Sequence, residues 1–448
     1  MKNLIWTLAT ILTVMCSVAL SPWNAAAQYT ATNLVSNSST YNPINIDPNL
    51  VDAWGLAALP TSPWWVSAQN TSTSTLYSAS GAINSLVVDV PCVTDFTTGA
   101  TTQVCPFPGE GDLDEPNNTD IASAIGGANA ACTAAMTPNE CCTGLGTGTC
   151  DASWGGGPAG IVANPFPKAF EITGAGAAQF IFATQDALIV AWNPANGTQS
   201  VVEANRSLEG TAPLFTSYQG LTIAGPAKAP HLYATNIFGA ADAAVDVFDK
   251  NFNYVDSFPA DSNLPDPSGP EGPFTPYGIQ AIGKKLYVTY FAPLAPLPPA
   301  GAGAGILDVC DLSKSTTNPP CKRLAASNLD GSETSPTLNQ PWGIALAPAN
   351  FGTLGNTLLV GNLNDGLIHG FKPSNGTLRG TLDVAANTPF AVPGLWALQF
   401  GDGSSENGPR NHLFFTAGPS PVSETDLVQQ YGAGLFGVIA VTPKTRSH

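Results

Sequence analysis

The apolar residues of this chain fall in short runs separated by turns rich in Gly, Pro and Asn, and one pattern among those runs recurs six times. It is a Gly or Ala followed by an aliphatic residue. The copies are Trp54-Gly55-Leu56-Ala57, Ala159-Gly160-Ile161-Val162, Gln219-Gly220-Leu221-Thr222, Tyr277-Gly278-Ile279-Gln280, Trp342-Gly343-Ile344-Ala345 and Trp396-Ala397-Leu398-Gln399. Their central residues are separated by 105, 60, 58, 65 and 54 positions. The long interval contains a Gly/Ala/Thr-rich stretch at 91–157, and without those 67 residues it shrinks to 38, room for one unit. Each copy is followed by a second apolar run, at 64–67, 180–184, 232–235, 286–290, 358–361 and 413–416, of strand-like length and β-rich composition. A third run and a turn come next: Ala191-Trp192-Asn193-Pro194-Ala195-Asn196-Gly197-Thr198 parallels Gly370-Phe371-Lys372-Pro373-Ser374-Asn375-Gly376-Thr377. Asn-Gly between apolar runs predicts a tight hairpin, because both turn positions tolerate positive φ. Four strands per unit and six units predict an all-β, six-bladed β-propeller with four antiparallel strands per blade.

The last unit supplies runs at 395–400, 412–417 and 435–441 but no fourth strand before His448. Tyr29-Thr30-Ala31-Thr32-Asn33-Leu34-Val35 is expected to pair there as the outer strand and close the ring. The recurring Gly fits innermost strands, where the absence of a Cβ lets backbones approach.

Composition narrows the partners. Of 448 residues only 10% are charged, against a usual level of roughly 25%, while 44% are hydrophobic. The formal net charge of −17 repels phosphate backbones and anionic lipid heads, so nucleic acid is excluded as a partner. Residues 1–27 read as a secretory signal: Lys2 is the basic start, 4–20 the apolar core and Ala25-Ala26-Ala27 the cleavage site before Gln28. Cleavage leaves one domain at 28–448, of 421 residues, with a charge of 14 minus 32, or −18. Cys16 lacks the small residues that precede a lipidated cysteine, and no later run has the roughly 18 apolar residues of a membrane span. The expectation is a secreted or periplasmic monomer with no membrane span once the signal is removed.

Eight cysteines remain, an even number suited to disulfides in an oxidising compartment. Cys92, Cys105, Cys132, Cys141, Cys142 and Cys150 crowd into the 91–157 insertion after blade 1, paired in an order the sequence does not give. The cluster contains no His and no Cys-x-x-Cys pair, which argues against zinc. Cys310 and Cys321 stand apart and are expected to lie across the third and fourth strands of the fourth unit, or in their connecting loop, where a disulfide would staple one blade.

These residues resemble a family of secreted bacterial β-propellers, conserved hypothetical proteins that are distantly NHL-like. The resemblance is carried by Asp47-Pro48-Asn49-Leu50-Val51-Asp52-Ala53-Trp54-Gly55-Leu56-Ala57, Pro60-Thr61-Ser62-Pro63-Trp64-Trp65-Val66-Ser67, Leu286-Tyr287-Val288-Thr289-Tyr290, Pro341-Trp342-Gly343-Ile344-Ala345-Leu346-Ala347-Pro348-Ala349-Asn350-Phe351-Gly352 and Gly394-Leu395-Trp396-Ala397-Leu398. It implies a fold and an exported location and brings no assigned reaction. The cysteine-rich insertion departs from the family's pattern, as does the absence of a membrane-sorting tail.

Chemistry is sparse. There is no Gly-x-Ser-x-Gly elbow, His-Glu-x-x-His pair or P-loop, and only His231, His369, His412 and His448 occur, scattered. Propellers gather side chains at one channel mouth, where the loops leading into first strands meet the hairpins between second and third strands. The lead-in side offers Asp52, Gln219, Glu271 and Gln340; the hairpin side offers Gln69, Asn70, Gln185, Asp186, Asn236, Asn362, Asn364 and Asp365. Such oxygen donors suit calcium or a polar ligand, although in hairpins they also satisfy turn backbone. Glu110-Gly111-Asp112-Leu113-Asp114-Glu115-Pro116-Asn117-Asn118 alternates carboxylates but lacks a complete calcium-loop pattern and reads as a solvated acidic loop. The leading expectation is a non-enzymatic binding or interaction module for a protein, polysaccharide or small polar ligand. The alternative is a calcium-dependent hydrolase or lactonase with Asp52 or Asp186 as base. A quinone- or haem-dependent dehydrogenase has little support, since Cys-x-x-Cys-His is absent.

Overall fold

In the computed structural model, six antiparallel sheets of four main strands surround one axis; in five of them the strands follow chain order from the axis outward, and the sixth ends in the N-terminal strand with the short Asn45–Ile46 parallel beyond it. The structure describes residues 29–95, 98–103, 105, 157–211, 214–237, 244–259, 274–291, 304–327, 333, 335–419 and 433–442. Blade 1 comprises Ala53–Ala57, Trp64–Ala68, Thr73–Tyr77 and a short Val88–Asp89. Blade 2 comprises Pro158–Ala163, Phe180–Thr184, Leu188–Trp192 and Val201–Asn205. Blade 3 comprises Tyr218–Ala224, His231–Asn236, Ala244–Phe248 and Tyr254–Phe258. Blade 4 comprises Thr275–Ile282, Lys285–Phe291, Gly305–Asp311 and Cys321–Ser327. Blade 5 comprises Pro341–Leu346, Leu358–Asn362, Ile368–Phe371 and Leu378–Thr381.

Blade 6 joins the two halves of the closure. Leu395–Phe400, His412–Ala417 and Leu435–Val441 come from late in the chain, and Tyr29–Ser36 pairs antiparallel with Leu435–Val441, from Tyr29 opposite Val441 to Ser36 opposite Leu435. The first strands touch one another in a closed ring, blade 6 against blade 1 included. The expected closure by the N-terminal strand is therefore how the sheet is built.

Each blade packs both faces against neighbours, so its middle strands are buried on both sides and read as continuous apolar runs. Every residue of the second and third strands of blades 2 and 5 is buried. Between each adjacent pair of blades lies one apolar cluster. In the one between blades 1 and 2, Trp65 stacks on Phe180 at 4.2 Å and leans on Trp192 at 4.6 Å.

All six first strands carry a β-bulge at the repeated motif. In five of them two residues oppose one: Trp54-Gly55 against Ser67, Ala159-Gly160 against Ala183, Gln219-Gly220 against Thr235, Tyr277-Gly278 against Thr289 and Trp396-Ala397 against Thr416. In blade 5 the extra residue is Trp342. The bulge frees a backbone N–H, and in blades 3, 4 and 6 the opposing threonine takes it up. The Thr235 hydroxyl accepts from Gly220 N–H at 2.7 Å and donates to the Tyr277 carbonyl of blade 4 at 2.6 Å. The Thr416 hydroxyl accepts from Ala397 N–H at 3.0 Å and donates to the Trp54 carbonyl of blade 1, across the closure. The glycines face the next blade: a Cβ on Gly278 would collide with the Trp342 carbonyl.

Cys310 and Cys321 form a disulfide between directly opposed positions of the third and fourth strands of blade 4. Cys92 and Cys105 form another, beside the small hairpin of Cys92–Asp95 and Ala100–Thr102 that opens the insertion. Cys132, Cys141, Cys142, Cys150, Glu271, the 110–118 loop and the 1–27 segment lie outside the described residues. These disulfides suit an oxidising, extracytoplasmic setting. No helix among the described residues is long and apolar enough to cross a membrane.

One turn differs from expectation. After Trp192, Asn193 caps a 3-10 turn, Pro194–Asn196, and only Gly197 has positive φ, 65°. Pro194 fixes a negative φ and the Asn193 side chain accepts from Ala195 N–H, so Asn-Gly ends a longer turn here.

Candidate functional site

The lead-in residue two places before each bulge meets the residue that follows the second strand. The carbonyls of Asp52, Gly157, Ser217, Gln340 and Gly394 accept from the amides of Gln69, Gln185, Ile237, Leu363 and Gly418, at 3.0, 3.0, 3.0, 2.9 and 2.8 Å. Five blades thus repeat one hydrogen bond around the mouth, which places their side chains in equivalent positions. Asp52 and Gln340 hold this place at φ 49° and 54°, in the left-handed region that Gly394 also occupies.

Three amides join across blades 1 to 3. Gln69 donates from Nε2 to Gln185 Oε1 at 2.7 Å, Gln185 donates to Gln219 Oε1 at 3.4 Å, and Gln219 donates to the Ser217 hydroxyl at 3.4 Å. Asn236 ends the row, its Oδ1 accepting from Ser217 N–H at 3.1 Å. Each NH2 group has two donors and each link uses one, so the row retains unused hydrogen-bonding capacity.

Beneath lies an aromatic floor. The bulge turns the residue before each repeated Gly or Ala toward the axis, and rings from non-adjacent blades touch there: Tyr277 of blade 4 is 5.8 Å from Trp396 of blade 6. Trp54 stacks on Trp396 at 3.5 Å and Trp342 meets it edge-on at 5.7 Å. Blades 2 and 3 contribute Ala159 and Gln219 at the same position, so the floor is aromatic on one side and small or polar on the other. The indole N–H of Trp342 is buried without a hydrogen-bond partner among the described residues, while the indoles of Trp54 and Trp396 act on the Asp52 carboxyl.

Asp52 stands over this floor, half-buried. Desolvation pushes its carboxyl up to about 7, against the pull of the Trp54 and Trp396 indoles toward ionisation. A Cβ at residue 418 would collide with its Oδ1, so Gly418 leaves the carboxyl its space. Burial, followed by the charge of Asp52, holds the Tyr277 phenol well above its ordinary range.

The other candidates are placed differently. Asp186 is buried, and its two oxygens accept from the Thr184 hydroxyl and from Val93 N–H at 2.6 Å, tying blade 2 to the insertion's first strand. Desolvation raises it to about 6, with those donors opposing. Asp365 accepts from Asn339 Nδ2 at 2.8 Å and Leu367 N–H at 3.0 Å. Asn362 reaches Asp365 at 3.5 Å, and Asn364 donates to Asn339 at 3.0 Å. This second knot belongs to the turns of blade 5, whose Gln340 sits beside it. Asn70 lies in the 3-10 turn that follows the second strand of blade 1. Of the histidines, His231 and His412 open second strands and His369 is buried on a third strand, its Nδ1 3.1 Å from the Thr381 hydroxyl.

Among the described residues no three His, Cys, Asp or Glu side chains converge as a metal site. Calcium takes six to eight oxygens. Among the described residues the mouth offers one carboxylate, Asp52, and the Gln185 and Gln219 amide oxygens that already accept from neighbouring amides, a donor set short of a calcium cage. The floor residues Trp54, Tyr277, Trp342 and Trp396 were absent from the sequence-based site. Their signal was the repeat itself, which places an aromatic before the small residue in four of six copies.

No family model matches the chain. Two uncharacterized proteins of Acanthamoeba polyphaga mimivirus are similar to it: one is 29% identical over 243 residues, 53% of each chain, and the other is 29% identical over 209 residues, 44% of this chain and 48% of that protein. The chain spans about half the length of these curated relatives. They are viral, whereas the sequence resemblance pointed to bacterial proteins. Solved structures similar to it include a streptogramin B lyase, with TM-score 0.40, 11% identity and coverage of 92% of this chain and 97% of that one. The PQQ-bound aldose sugar dehydrogenase of Streptomyces coelicolor is another, with TM-score 0.40, 12% identity and coverage of 92% and 99%. What the fold defines is a six-bladed β-propeller, and its candidate site among the described residues is the amide row and the aromatic rings at the first strands.

Proposed function

We propose that the protein is an exported binding module, of the bacterial propeller type its sequence resembles, that holds a small hydroxyl-rich ligand at the channel mouth without turning it over. The observation that supports this reading is the Gln69–Gln185–Gln219 row, which lines three blades with neutral donors and acceptors above aromatic rings. Amides pair with hydroxyls without charge, and ring faces pack against the apolar faces of a sugar. The test is binding of the chain from Gln28 onward to immobilised saccharides, alongside a panel of esters and lactones. The expected result is saccharide binding that Gln185→Ala weakens by about ten-fold, as the loss of a hydrogen bond predicts, with no turnover.

Asp52 favours a second reading, a hydrolase using that carboxyl as general base, because a pKa of about 7 suits proton transfer near neutral pH. Ester or lactone turnover that disappears in Asp52→Asn would establish this reading in place of the first.

A further inference from the structure

Asp52 is the only carboxylate among the equivalent lead-in positions, where the other blades carry Gly157, Ser217, Thr275, Gln340 and Gly394. Its φ of 49° is a conformation that the sixth blade assigns to glycine at the same place, so a residue with a Cβ there is carried for its side chain. The groups that set its ionisation are burial and two indoles; no Lys, Arg or His is among them. Among the described residues this partly buried carboxylate meets no counter-charge, so in a chain of net charge −17 it is the anionic half of an ion pair open to a cation from outside.

The surroundings say what that cation carries. The backbone carbonyl of Asp52 accepts from Gln69 N–H, so the residue that carries the carboxyl is held directly beside the residue that opens the amide row. The indoles of Trp54 and Trp396 draw the carboxyl toward ionisation, which keeps an anion there for a cation to meet. Aromatic rings near a carboxylate also favour a cation over a neutral group.

Resting on the mouth reading above, we propose that the ligand is a hydroxylated amine, amino sugars being the simplest class, with its ammonium against Asp52 and its hydroxyls on the Gln69–Gln185–Gln219 row. N-acetylation of such a ligand removes the charge and keeps the hydroxyls.

The test is titration of tryptophan fluorescence in the full mature protein, at neutral pH, with glucosamine, N-acetylglucosamine and glucose. Glucosamine is expected to bind more tightly than the other two by about thirty-fold or more, the scale of a partly desolvated charge pair. Asp52→Asn is expected to bring the three affinities together. Gly418→Ala, which crowds the carboxyl without removing its charge, is expected to shrink the preference in the same direction. Equal affinities for all three sugars in the unmodified protein, each weakened by Gln185→Ala, would overturn the amine inference and leave the mouth reading standing. No binding of any of the three would overturn both.

Discussion

Thr416 accepts the N–H freed by its own blade's bulge and donates to the carbonyl of the blade across the closure. Replacing it with the near-isosteric valine leaves both groups buried and unpaired, which should lower unfolding free energy by about 1–3 kcal/mol in denaturant titration. Gly278→Ala should be far worse, since its Cβ meets the Trp342 carbonyl; Gly283→Ala, with open space but φ 62°, should cost only about 1 kcal/mol. Asp52 sets a pH dependence of definite sign. Its folded pKa of about 7 lies above the ordinary aspartate value, so between the two the unfolded chain releases a proton that the folded chain retains. Stability from this group is fully present below the ordinary value and is lost as pH rises through 7, with Asp186 adding the same sign up to about 6. Asp52→Asn should therefore raise Tm at pH 8 relative to the unmodified protein and leave little difference at pH 4. The repeated glycines were legible in the sequence, because six copies at near-regular spacing announce themselves. The bulge beside them was not: two residues facing one is a property of the pairing, and neither strand records it alone. Asp52, Gln69, Gln185 and Gln219 could be pooled from their place before or after strands, but Trp54 and Trp396 were seen only as members of the repeat, since their meeting at the axis depends on the bulge.

At the scale of strands and turns, burial on both faces made the runs easy to find, because packed blades convert alternation into continuous apolar segments. The cysteine pair of blade 4 was legible for a related reason, since residues 310 and 321 flank the turn between two predicted strands. Replacing both with serine should cost about 2–4 kcal/mol, the usual range for a disulfide, and hydrogen exchange should accelerate first in Cys321–Ser327. The turn after Trp192 was misread as a two-residue hairpin because Asn-Gly was given more weight than the Pro194 preceding it. Asp186 shows a similar limit: a carboxylate after a second strand looks available, yet its oxygens bind Thr184 and Val93, the latter 93 residues away in sequence.

For the whole molecule, equivalence of the blades builds the scaffold and departures from equivalence build the site. Four aromatics fill the axis from blades 4, 5, 6 and 1, while Ala159 and Gln219 leave the side of blades 2 and 3 to the amide row. That asymmetry exists only in a closed ring, since Trp54 and Trp396 meet across the seam that Tyr29–Ser36 completes. The most direct measurement is hydrogen exchange at Leu435–Val441 in the chain from Gln28 onward and in one also lacking residues 29–36. Closure by the N-terminal strand predicts amides among the slowest to exchange in the intact protein, and exchange at open-edge rates with a lowered Tm in the shortened one. Equal protection and equal Tm in the two would contradict it.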